Sequence, residues 1–115
     1  MNSHDRAILD KMLSEIVELE GFVAGVSSDN FLKNAMMKKA VCMTLLIIGE
    51  LAQSLSEEFV AAQSSTPWRK IMRFRDIVAH RYQSLDMMLV FTSATVDATD
   101  LRAQIELILL NDQHQ

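Results

Sequence analysis

The sequence predicts an all-α fold, an up-and-down bundle of four helices. Apolar residues make up 50% of the 115 positions and charged residues 23%, a balance that supports a packed core rather than a disordered chain. There are only three glycines and one proline, too few for a turn-rich sandwich or barrel. Apolar residues also recur at helical spacing along most of the chain. The length suits one domain over residues 1–115, large enough to bury a core without a metal or disulfide staple.

The first helix is expected over residues 4–25. Ile8, Leu9, Met12, Leu13, Ile16, Val17 and Val23 line one side, Ser3 is placed to cap the start, and Gly25 stops it. The second is expected over 30–61, with an almost wholly apolar middle from Ala40 to Ile48 that suggests a central or interface helix. After a loop at Gln63–Thr66, the third covers 67–80, with Thr66 as the cap and Pro67 at the first helical position. The fourth covers 86–110, opened by Ser84 or Asp86. Its Thr92–Thr99 stretch is rich in β-branched residues, which disfavour a regular helix and suggest a kink or weak turn.

Cys42 stands alone, so an internal disulfide is excluded and no zinc-type Cys/His spacing exists. The N-terminus carries charges where a signal peptide has its apolar stretch, and no apolar run approaches the length of a membrane span. These features predict a cytoplasmic protein with no membrane contact. The formal net charge is −4, which argues against binding nucleic acid through overall charge. Its distribution is uneven, with Arg69, Lys70, Arg73, Arg75 and Arg81 facing one acid, Asp76, between residues 69 and 82. This is either a solvated helix face or a local grip for phosphate.

Helical residues stand about 100° apart. On that wheel Trp68, Ile71, Met72, Phe74, Val78 and Ala79 form an apolar arc with Arg75 in its middle. Asp76, Arg69, Arg73 and His80 lie opposite. A guanidinium on an apolar face needs a partner or a polar cleft. Arg75 is therefore either half of a structural ion pair, with Glu50 the candidate partner, or a functional group. His80 lies about 140° from Arg75 around a regular helix. The two meet only if the helix ends near Ala79 or if a second copy supplies one of them. Asp76 and His80, at i and i+4, can touch, which would orient the imidazole. A helix C-terminus alone also accounts for a histidine.

The stretch Arg75-Asp76-Ile77-Val78-Ala79-His80-Arg81-Tyr82 resembles the R-x4-H-x-Y signature of HEPN domains. With Ile47-Ile48-Gly49-Glu50-Leu51-Ala52 and Pro67-Trp68-Arg69-Lys70-Ile71 upstream, the chain is similar to the HepT branch over roughly residues 37–110. The resemblance implies a four-helix domain that forms a homodimer, with two signatures facing a shared cleft. It implies a metal-independent endoribonuclease, often the toxin of a toxin–antitoxin pair. The implied partner is a minimal nucleotidyltransferase antitoxin that adds AMP to the signature tyrosine, here Tyr82. An alternative is a non-catalytic partner or substrate-binding subunit of such an enzyme.

The residue types suit RNA cleavage. RNA carries its own nucleophile, the 2′-hydroxyl. An imidazole, here His80, can move protons near neutral pH. Arg75 can hold phosphate oxygens, Asp76 can support His80, and two symmetry-related histidines can divide the base and acid roles. Tyr82 can stack on a base or bind phosphate, and Arg73 is a further candidate RNA contact. No carboxylate cluster suggests a magnesium site, and no cofactor is expected. His4 and His114 read as solvated, and Lys33, Lys38 and Lys39 as a helix face. Cys42 reads as inert. Met12, Met36, Met37, Met43, Met72, Met87 and Met88 read as core or dimer seam, and Phe22, Phe31, Phe59 and Phe91 as core. A mean hydropathy of +0.12 also favours an apolar seam between two copies.

Overall fold

The computed structural model describes residues 1–113; His114 lies outside them. The fold is all-α. In order it comprises α1 (Ser3–Val23), α2 (Ser28–Lys33), α3 (Ala35–Gln53), α4 (Glu57–Ala62), α5 (Trp68–Arg81), a 3₁₀ turn (Tyr82–Ser84), α6 (Met87–Thr92), a π-helical turn (Ser93–Asp97) and α7 (Ala98–Gln113). α1, α3, α5 and the α6–α7 rod are the four long elements. α1 packs between α3 and α7, α2 supports α6, and α5 packs chiefly on α3. α5 thus keeps a broad side turned away from the bundle.

The helix starts follow local chemistry. Asn2, not Ser3, caps α1, its side chain accepting from the Asp5 amide at 2.7 Å. Gly25 ends that segment with φ of 71°, a conformation glycine adopts without strain. The single helix expected over 30–61 is three. Asn34 leaves helical geometry and its side chain caps α3 by accepting from the Met37 amide at 2.9 Å. Ser56 does the same for α4, accepting from the Phe59 amide at 3.2 Å.

A buried carboxylate fixes that second break. Asp5 of α1 is 1% exposed, and it accepts from the Ser56 amide at 2.8 Å and the Ser56 hydroxyl at 2.6 Å. Its charge is buried but hydrogen-bonded, and it ties the first turn of α1 to the start of α4.

Thr66 does not cap α5. It is buried in a turn where its amide donates to the Gln63 carbonyl and its own carbonyl accepts from Trp68, so Pro67 takes the cap position without a side-chain bond. The Trp68 indole donates to the Gln63 carbonyl at 3.0 Å and its ring packs on Phe59. Asp86 caps α6, accepting from the Met88 amide. The Thr- and Val-rich stretch in the fourth rod is the π turn, with its Thr95 hydroxyl donating to the Phe91 carbonyl at 2.8 Å.

The core draws on every long element, with Leu9, Met12, Ile16, Phe31, Val41, Ile48, Trp68, Val90 and Ile105 buried. Phe31 stacks against Phe91 with ring centroids 5.1 Å apart, which locks α2 to α6. α3 and α5 approach closely at Gly49. A methyl group built there would overlap Arg75 Cβ and lie 3.1 Å from the Ile71 carbonyl oxygen.

Two glycine substitutions test this contact with opposite signs. Gly21 of α1 has nothing within 4 Å of a built methyl, so Gly21→Ala should stabilise by up to about 1 kcal/mol through helix propensity. Gly49→Ala gains the same propensity but must push α5 off α3, and should destabilise by roughly 1–3 kcal/mol net. Urea unfolding of both variants checks this; stabilisation by both would refute close packing at Gly49.

Candidate functional site

α5 positions the candidate residues. It is continuous from Trp68 to Arg81, so it ends close to the expected residue 80 but does not break between Arg75 and His80. Trp68 and Val78 are buried, and Ile71, Met72 and Phe74 are partly buried against α3 and its neighbours. Ala79, expected in the apolar arc, is exposed.

Arg75 lies on the buried side, but its stem crosses Gly49 and its head emerges at the surface. The guanidinium meets Glu50 through both Nε and Nη2, and Nη1 donates to Asp76 Oδ1 at 2.9 Å. The side chains of Arg75, Glu50 and Asp76 are 27%, 47% and 55% exposed, so water reaches all three. The two acids push the Arg75 guanidinium above its ordinary range, the Asp76 bond first and the Glu50 bond second, and keep it charged.

The structure joins Asp76 to Arg75. Among the described residues no hydrogen bond links Asp76 to His80. His80 is exposed, about 140° around α5 from Arg75, so one chain does not bring the two side chains together. Arg73 is exposed on the outer side of α5 with no ion pair among the described residues. Tyr82 opens the 3₁₀ turn directly after α5 and is part-buried against the core. Burial raises its phenol above the ordinary range, with nearby Cys42 adding to the effect, so the hydroxyl stays protonated at neutral pH.

Sequence reasoning proposed Glu50 as a partner but missed the part played by Gly49. The available signal was a glycine inside an apolar helix, one residue before a carboxylate. Of the other histidines, His4 is exposed and its Nε2 lies 2.9 Å from the Ser54 carbonyl. Among the described residues no group of three or more His, Cys, Asp or Glu is arranged to hold a metal. No helix is long and apolar enough to cross a membrane.

Cys42 is buried in α3, and burial pushes its thiol from 9.0 up to about 11. The unfolded chain ionises first as pH rises, so native stability is complete below pH 9 and falls towards pH 11. At pH 10.5 the loss from this group should be roughly 2 kcal/mol. Urea unfolding at pH 8 and pH 10.5 measures it. Cys42→Ala should lose correspondingly less across that interval, and an equal loss would contradict the assignment.

Comparison with known proteins places the chain in a family. The family described as Ribonuclease HepT-like matches residues 12–108. The chain is 29% identical over 108 residues to a provisionally named RNase of Caldanaerobacter subterraneus subsp. tengcongensis, covering 94% of this chain and 96% of that protein. It is 30% identical over 86 residues to a provisionally named RNase of Methanocaldococcus jannaschii, covering 75% of this chain and 71% of the relative. It is 28% identical over 95 residues to a Thermococcus cleftensis protein named as a probable ribonuclease HepT, covering 82% of this chain and 86% of the relative. No solved structure matches significantly. With the family match running from the middle of α1 nearly to the end of α7, the chain belongs to the HepT-like ribonuclease family.

Proposed function

We propose that this protein is a metal-independent endoribonuclease that acts as a homodimer, and that it is the toxin partner of a minimal nucleotidyltransferase. The observation that carries the reading is the open position of Arg75. Its guanidinium is held by two water-exposed acids at the edge of the α3–α5 contact. A purely structural clamp would gain little from an exposed ion pair.

A second copy completes the site. Met36 and Met43 are 80% and 56% exposed, and with Glu50 they repeat every seven residues, so the three share one flank of α3. An apolar seam on Met36 and Met43 ends at the Glu50–Arg75 pair, where the partner copy supplies His80. One imidazole takes the 2′-hydroxyl proton. The 2′-oxygen then attacks the adjacent phosphorus and the bond from phosphorus to the 5′-oxygen breaks. The second imidazole, as its cation, gives a proton to that leaving oxygen, and a 2′,3′-cyclic phosphate remains. Arg75 donates to the non-bridging oxygens as charge builds on them, while Glu50 and Asp76 hold its fork in position. Transfer of AMP from ATP to the Tyr82 hydroxyl, with pyrophosphate leaving, adds bulk and negative charge beside this cleft and repels RNA.

The same two carboxylates favour one other reading. Because they engage all three nitrogens of Arg75, the residue could serve only to clamp α3 to α5 in a non-catalytic partner subunit.

RNA cleavage by the purified chain in excess EDTA separates the readings. Arg75→Ala and His80→Ala should each reduce cleavage by about 10²-fold or more. Both should keep the helical circular-dichroism signal. EDTA-sensitive cleavage, or activity retained in both variants, would refute the proposal. No cleavage together with tight nucleotidyltransferase binding would favour the clamp.

A further inference from the structure

We infer that the outer face of α5 is a track for single-stranded RNA, with Arg69 and Arg73 as backbone-phosphate contacts leading to His80. The inference rests on the ribonuclease reading and adds where the substrate strand lies.

The chain has six arginines. Arg6, Arg75 and Arg102 are each paired with carboxylates. Arg69, Arg73 and Arg81 make no ion pair among the described residues, and all three are exposed on α5. A chain with 15 acidic residues thus leaves its unpaired arginines on one helix. Arg81 lies in the last turn of α5, where the helix dipole favours a cation. Arg69 and Lys70 lie in the first turn, where the dipole disfavours one, and that turn has no acid. Local stability therefore does not account for Arg69.

The geometry suits a polyanion. Arg69, Arg73 and His80 fall within about 40° of one another around the helix and span about 16 Å along it. The neighbouring carboxylate, Asp76, is already bonded to Arg75. Ile77 is the one large apolar side chain on this outer arc. A protein interface would place an uncharged core there, so regularly spaced phosphates fit better than a protein partner.

The test uses the full chain and a fluorescent 2′-O-methyl RNA oligonucleotide, which lacks the internal nucleophile and stays intact. Anisotropy across a salt series gives the slope of log affinity against log salt. Arg69→Gln and Arg73→Gln should each reduce the slope by about 0.7, and the double variant by about 1.4. Arg102→Gln, which removes the same charge from a paired arginine, should leave it unchanged. Arg69→Glu should weaken binding while its melting temperature stays level or rises, since an acid suits that turn. Unchanged slopes in the α5 variants, an equal change in Arg102→Gln, or no oligonucleotide binding would overturn the track. So would loss of an acidic protein partner in the α5 variants with RNA binding intact. Cleavage of ordinary RNA by the wild type, assayed separately, shows whether the ribonuclease reading survives such a failure.

Discussion

The close contact between α3 and α5 at Gly49 governs the rest of this structure. Without a side chain at that position, the Arg75 stem lies across the backbone of α3. Its head then reaches Glu50, the next residue along, instead of being buried or swung into solvent. The contact also fixes the rotation of α5 about its own axis. Trp68 and Val78 turn inward, while Arg69, Arg73 and His80 turn outward. Because α5 packs chiefly on α3, both its outer face and its Arg75 flank stay open. One small residue thereby decides how Arg75 meets its acids and which face α5 leaves open.

The resulting charge distribution separates two tasks. Around Arg75 the charge is locally compensated by Glu50 and Asp76, so the guanidinium is held in a defined place without a strong field of its own. On the outer face of α5 the cations are uncompensated by ion pairs among the described residues. An acidic protein with such a face attracts a polyanion at one place and repels it elsewhere. Under the proposed function, capture of a strand and orientation of its phosphate would fall to different parts of the same helix.

Most of the helical framework was legible in the sequence, because apolar periodicity and turn residues mark it directly. Gly25 ends the first segment as expected, and Asp86 opens α6. The β-branched stretch Thr92–Thr99 contains the π turn, which follows from crowding at Cβ. The breaks at Asn34 and Ser56 were not legible, because the apolar pattern runs on in helical phase past both. Only their side-chain caps, and for Ser56 the distant carboxylate of Asp5, reveal them. At the site, the wheel placed Arg75 and His80 on different sides and suggested Glu50 as the partner. It did not reveal that Asp76 bonds Arg75, since neighbouring residues on a helix point about 100° apart and only the long arginine stem closes the gap.

The most direct measurement mixes wild-type chains with an Arg75→Ala/His80→Ala double variant under conditions that allow subunits to exchange. If each cleft needs residues from both copies, mixed dimers are inactive and RNA cleavage falls as the square of the wild-type fraction. An equal mixture would then retain about one quarter of the wild-type activity. Activity of about one half, falling linearly with the wild-type fraction, would show that a single chain carries a complete site and would contradict the account.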